Sequence, residues 1–222
     1  MNKKINSDLL KIYDLMYNKD GHRNWWPAET GFEMIIGALL AQFVSWKNVT
    51  TAIDNLKAEG LLSINEISSI DTGKLENLIR ATRFYKQKAK KLKVFCSYLM
   101  DNYNCDLNKF FDKDLYSLRK ELLSLYGIGE ETADSIILYA AEKPIFVVDS
   151  YTRRVFGKLG YFNKNTSYGE MQKFFMDNLE HNVELFNDFH AQIDGVGAEY
   201  CLNKNPRCDE CPVNIFCKDK GD

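Results

Sequence analysis

Four cysteines crowd the end of the chain as Cys201-x6-Cys208-x2-Cys211-x5-Cys217, and thiols this close together are metal ligands or disulfide partners. Disulfides require export. The N-terminal stretch Met1-Asn2-Lys3-Lys4-Ile5-Asn6-Ser7-Asp8 has basic residues with no apolar run behind them, so no signal peptide is expected. A cytoplasmic setting follows, where thiols stay reduced. Zinc sites usually pair two short cysteine knuckles, whereas here one C-x2-C is flanked by gaps of six and five with no histidine among them. Four thiolates around a larger object suit a [4Fe–4S] cluster. Cys96 and Cys105 stand apart and read as ordinary thiols.

A second constellation lies upstream, in Leu122-Leu123-Ser124-Leu125-Tyr126-Gly127-Ile128-Gly129-Glu130-Glu131-Thr132-Ala133-Asp134. Two glycines around one apolar residue make a tight connection that lets backbone approach a ligand. The helix that follows opens with free N–H groups, a setting for an anion. Glu131 in that first turn complements the helix dipole, and Asp149 reads as the N-cap of a later helix beginning at Ser150. Gln42 is a polar residue at a helix end. Trp25, Trp26 and Trp46 are the chain's only tryptophans, and large aromatics most often fill cores.

The elements that must position these residues are helical. Phe32, Ile35, Ile36, Leu39, Leu40 and Phe43 recur at three and four residues, as do Val49, Ala52, Ile53 and Leu56. The same period continues through Ala89, Leu92, Cys96 and Leu99, then Leu115, Leu118, Leu122 and Leu125, and again from Met171 to Tyr200. Only Ile145-Phe146-Val147-Val148 has a strand-like composition, and one such run cannot make a sheet, so it reads as extended loop. The class is all-α.

Composition adds limits. The 222 residues are 45% hydrophobic and 27% charged, which excludes a disordered or collagen-like chain. The longest apolar run, Met34 to Ala41, is far below the ~20 residues of a membrane span. A net charge of −2 speaks mildly against a general polyanion binder. Locally the balance reverses: Arg80, Arg83, Lys86, Lys88, Lys90, Lys91 and Lys93 form a run without an acid, most simply a solvated helix face.

Taken together the motifs carry a resemblance. Leu125-x-Gly127-Ile128-Gly129-x-x-Thr132-Ala133 resembles the helix–hairpin–helix of the endonuclease III family of DNA glycosylases. Val147-Val148-Asp149-Ser150 matches that family's aspartate segment, and the cysteine spacing with Pro206-Arg207 its iron–sulfur loop. The resemblance covers about residues 120–217. It implies hairpin amides from Gly127 and Gly129, with Thr132 beside them, gripping one strand of duplex DNA. Gln42 is placed as a wedge that fills the hole left by a flipped nucleotide, and Lys204 and Arg207 against phosphates. It also implies a [4Fe–4S] cofactor on Cys201, Cys208, Cys211 and Cys217. The fold implied has two helical domains, 26–141 and 1–25 with 142–222, with a DNA cleft between them, in a monomer.

One position departs from the bifunctional members. Their Schiff-base lysine precedes the motif threonine, and here that position is Glu131, which cannot form an imine. The expected enzyme is therefore a monofunctional glycosylase without lyase activity, with Asp149 stabilising the cationic sugar and Glu131 as a second carboxylate of the site. Trp25-Trp26-Pro27-Ala28 and Phe84-Tyr85-Lys86-Gln87-Lys88-Ala89-Lys90 are similar to the 3-methyladenine DNA glycosylase branch. There, Trp25, Trp26 and Trp46 would sandwich a cationic alkylated purine. The best-known alkyl-purine member of that branch lacks the four cysteines present here. Oxidised pyrimidines, uracil, mismatches, or non-catalytic binding of damaged DNA are the alternative readings.

Overall fold

Among the described residues, 2–23 and 25–218, the computed structural model contains twelve α-helices and no β-strand. In chain order the first six are α1 (Lys3–Asp20), α2 (Gly31–Leu40), α3 (Trp46–Ala58), α4 (Ile64–Ser69), α5 (Thr72–Leu78) and α6 (Tyr85–Tyr103). Then come α7 (Leu107–Phe111), α8 (Leu115–Ser124), α9 (Glu130–Ser135), α10 (Ser150–Lys158), α11 (Tyr168–Asn178) and α12 (Val183–Glu199). A π-helical turn, Ile136–Ala140, continues α9. No helix among the described residues is long and apolar enough to cross a membrane. The chain divides into two compact units, Ala28–Lys143 and Met1–Pro27 with Pro144–Asp222.

The contiguous unit is built around α2. Phe32, Ile35, Ile36, Ala38, Leu39 and Leu40 are all buried, so this helix is apolar on every side and belongs inside. Helices α3, α6 and α9 with its π-helical continuation pack on it. Each presents one apolar stripe, such as Val49, Ala52, Ile53 and Leu56 of α3. The one buried acid of α2, Glu33, is matched by Lys57 at 2.9 Å.

The discontinuous unit packs α1 against α11 and α12, and α10 across α12. Gly197 permits that crossing: a Cβ there would meet Tyr151 Cδ1 at 2.4 Å. The core is aromatic, with Phe146 stacked on Phe175 at 3.9 Å and Phe156, Phe186 and Phe189 around them. Ile145–Val148 is buried yet extended. With no partner strand, its polar backbone is served by side chains of α11: Gln172 Nε2 donates to Phe146 O at 2.8 Å, and the Val148 N–H points to Tyr168 Oη at 3.4 Å. Pairing to side chains is why this run delivers Asp149 to one fixed place without being a strand.

Candidate functional site

The hairpin joins α8 to α9 within the contiguous unit. Gly127 has φ +77, and a Cβ there would lie 2.5 Å from Lys91 Cε, so both torsion and packing demand glycine. Gly129 is the N-cap of α9, and a Cβ on it would meet nothing within 4 Å. The two glycines thus differ: one fits the fold, and the other keeps backbone open to an approaching group. Arg119 clamps the hairpin from behind with Nε 2.7 Å from Asp134 Oδ1, an acid with no exposed surface. Glu131 is exposed in the first turn of α9.

Thr132 is buried, and its Oγ1 accepts from Gln42 Nε2 at 2.7 Å. Lys91 Nζ donates to Gln42 Oε1 at 2.6 Å, and Lys88 Nζ to Leu40 O and Gln42 O at 2.8 and 2.9 Å. Both ends of the expected wedge side chain are therefore engaged, and its backbone is pinned as well. This corrects the reading of the basic run as a solvated face. Arg80, Arg83, Lys86 and Lys90 are exposed, but Lys88 and Lys91 are buried, and their ammonium groups bind the C-terminal end of α2 and the turn after it. Burial lowers both, Lys88 to about 8 with the Lys91 charge adding to the effect. Phe43, expected as the last apolar position of the α2 period, instead lies past the end of that helix, which stops at Leu40; it is 82% exposed and Phe84 56%, both with positive φ.

Asp149 lies in the discontinuous unit. Its Oδ1 accepts from Thr152 N at 2.7 Å and Thr152 Oγ1 at 2.9 Å, which caps α10 and leaves Oδ2 outside the cap. Helix α12 brings His190 and Asp194, one turn apart, to the same place. One ring nitrogen of His190 and a carboxylate oxygen from each aspartate all lie within 4.8 Å of one another. His190 is only 4% exposed. Burial lowers its pKa against the opposing pull of the Asp149 charge, so the ring is neutral at pH 7. Sequence reading missed this pair, whose only signal was polar residues one turn apart on an apolar helix.

The tryptophans are half-buried, so none is a core plug. Trp25 and Trp26 meet edge to face, centroids 6.2 Å apart at 71°, and so are not themselves two slices of a sandwich. Trp25 lines a cavity of about 720 Å³ with Tyr13, Asp14, Tyr17, His22 and Asp188. Trp46 opens α3 in the other unit.

The four clustered cysteines follow α12 on two 3₁₀ turns, all half-buried and none in a disulfide. Burial raises Cys201 and Cys211, Arg154 pulls Cys201 the other way, and the other cysteines of the cluster raise each further. That donor set fits a four-thiolate metal group. Arg154 fixes the entry to the loop, donating to Cys201 O and Gly197 O at 2.6 Å each. Lys204 is exposed; Arg207 is exposed but paired with Glu210 and set 5.5 Å over the Tyr200 ring. Cys96 is buried with its thiol pushed up to about 12, the inert group its setting suggests.

Comparison with known proteins bears on the family and the fold. The family model described as HhH-GPD superfamily base excision DNA repair protein matches residues 36–181. A Methanocaldococcus jannaschii protein, named as a candidate DNA repair glycosylase, is 45% identical over 96% of each chain. Endonuclease III of Sulfolobus acidocaldarius is 27% identical over 84% of this chain and 81% of its own. Among solved structures, the H. pylori 3-methyladenine DNA glycosylase bound to 1,N6-ethenoadenine superposes with a TM-score of 0.75 at 26% identity. That match covers 88% of this chain and 97% of that one. A trapped endonuclease III–DNA intermediate reaches 0.82 at 24% identity over 96% of both, a likeness of fold.

Proposed function

The chain belongs to the HhH-GPD superfamily of base excision DNA repair proteins, and on that premise we propose that it is a monofunctional DNA N-glycosylase for alkylated purines such as 3-methyladenine. The observation that carries the chemistry is Asp149, fixed through Oδ1 by Thr152 and with Oδ2 outside the cap. As the glycosidic bond breaks, charge develops on an oxocarbenium-like sugar, and a held carboxylate stabilises it and takes the proton of the attacking water. His190 and Asp194 lie beside Asp149, with one ligand atom of each within 4.8 Å of the others. Glu131 stands where an amine would be needed for a Schiff base. The open backbone at Gly129, in the turn that Gly127 shapes and Thr132 anchors from inside, then holds the strand, while Lys204 and Arg207 reach phosphates.

Substrate choice rests on Trp25, Trp26 and Trp46. Their rings are half-buried, and an electron-rich face favours a cationic purine over a neutral base. Cys201, Cys208, Cys211 and Cys217 would hold a [4Fe–4S] cluster, which when bound ties the C-terminal loop into one rigid piece. The similarity to Sulfolobus endonuclease III favours a second reading, excision of an oxidised pyrimidine by the same fold.

Duplexes carrying 3-methyladenine, uracil or thymine glycol separate the two. The expected result is release of 3-methyladenine, strand cleavage only after alkali, and no borohydride-trapped complex. Trapping would remove the monofunctional assignment, and faster attack on thymine glycol would replace the substrate. Asp149→Asn should lower base release by about 10²–10⁴ with DNA binding retained. Its melting temperature should hardly move, since asparagine caps helices about as well as aspartate.

A further inference from the structure

We propose that Phe43, and not Gln42, is the side chain this protein inserts into the base stack of duplex DNA. The inference deepens the glycosylase reading and rests on it for the damaged base. Phe43 is 82% exposed, more than any other large apolar side chain among the described residues. It is the third residue of the turn Ala41–Val44, closed by Val44 N to Ala41 O at 3.4 Å, and its φ of +56 is one that favours glycine. At 82% exposure the ring adds little apolar burial to the fold, while its backbone position is an unfavourable one. A ring held outward on a short turn suits entry between bases.

The base of the turn is held by hydrogen bonds on both sides. Lys88 pins Leu40 O and Gln42 O, and α3 begins at Trp46 with Asn48 N bonded to Ser45 O at 3.0 Å. The ring therefore enters DNA without a loop having to order first. Gln42, in contrast, is committed at both ends, to Lys91 and to Thr132. Swinging it into a duplex would break both bonds and strip a buried ammonium of its acceptor.

Charge points to the partner. Lys88 sits one turn beyond Phe84 on α6, so its bond to Gln42 O places the first turns of α6 against the loop. Those turns and the residues just before them carry exposed Arg80, Arg83, Lys86 and Lys90. An exposed aromatic on a loop held to a stretch that carries four exposed cations and no acid in its sequence fits a polyanion that also offers stacked rings. A phenyl wedge stacks on any base, whereas an amide reads hydrogen bonds. Excision should accordingly differ little between opposite bases.

The test separates insertion from chemistry. A duplex with a tetrahydrofuran abasic site and 2-aminopurine opposite it reports unstacking without any base release. Wild type should change the fluorescence on binding. Phe43→Ala should lose that change and bind this duplex about ten-fold more weakly, the loss of one stack. Its affinity for undamaged duplex should stay within about two-fold, because phosphate contacts are intact. Its thermal stability should not fall. Gln42→Glu keeps an acceptor for Lys91, so it should retain the fluorescence change. The proposal is overturned if Phe43→Ala behaves as wild type, if Gln42→Glu alone abolishes the signal, or if Phe43→Ala changes only self-association. If the Phe43-dependent signal persists while no lesion is ever released, insertion stands and the glycosylase reading fails.

Discussion

A carboxylate that caps a helix and one that meets a reacting sugar have the same requirement, a side chain that does not rotate. Thr152 meets it for Asp149 by giving Oδ1 both a backbone N–H and a hydroxyl. A purely structural aspartate would look no different at this scale, and it is the neighbouring His190 and Asp194 that set Asp149 apart. Lys88 shows the reverse case, a charge retained in the interior to serve backbone. Its two carbonyl acceptors lie at the C-terminal end of α2, where a cation is favoured. Its folded pKa of about 8 lies below the ~10.4 of an exposed lysine. Between those values the unfolded chain binds the extra proton, so this group makes stability rise with pH across that window and level off below pH 8. Denaturant midpoints of wild type and Lys88→Gln, compared from pH 7.5 to 10, check it. The difference between them should shift toward wild type as pH rises, and a flat difference would contradict the buried-ammonium account.

At the scale of elements the hairpin turns on two glycines with opposite duties. Gly127 is required by its φ of +77 and by Lys91 Cε, which a Cβ would approach to 2.5 Å. Gly127→Ala should therefore cost about 1–2 kcal/mol of stability, read as a lower melting temperature. Gly129 has φ −97, and a Cβ there meets nothing within 4 Å. Gly129→Ala should leave melting nearly unchanged and weaken duplex binding, because a methyl would stand where backbone must come close to phosphate. Equal loss of stability in both variants would mean the open face at Gly129 has no functional meaning. The extended run Ile145–Val148 shows how an element follows from its surroundings: buried on all sides and served by α11 side chains, it holds its shape without a ladder.

For the molecule as a whole, the C-terminal loop has little apolar support of its own. Of its residues from Cys201 to Cys217 only Val213 is buried, and Arg154 ties down the loop's start. A four-thiolate group is the natural way to stabilise such a segment, since ligand binding is then folding free energy. Protein prepared with ample iron and sulfide should contain about four of each per chain, and Cys208→Ser should lose them. Loss should lower melting and duplex affinity together, with Asp149 untouched in the other part of the unit. Stoichiometric zinc without sulfide would replace the assignment.

The sequence by itself determined the helical class, the hairpin, the aspartate segment and the cysteine set. Those are local: helical period, glycine spacing and thiol spacing are properties of neighbours along the chain. It left Asp149 equally readable as a cap, because capping is all that adjacent residues reveal. Tertiary structure decided the rest. His190 and Asp194 of α12, 41 and 45 positions beyond Asp149 and the former 4% exposed, reach it only because α10 crosses α12. Lys88 and Lys91 look like their solvated neighbours until α6 packs on α2 and buries two of the seven basic side chains. Gln42 and Phe43 are adjacent in sequence, and only packing across some 50 to 90 positions, from Lys91 and Thr132, engages the first and leaves the second exposed. Burial and long-range hydrogen bonding are not encoded in spacing, and they determine which polar groups are held and which remain available.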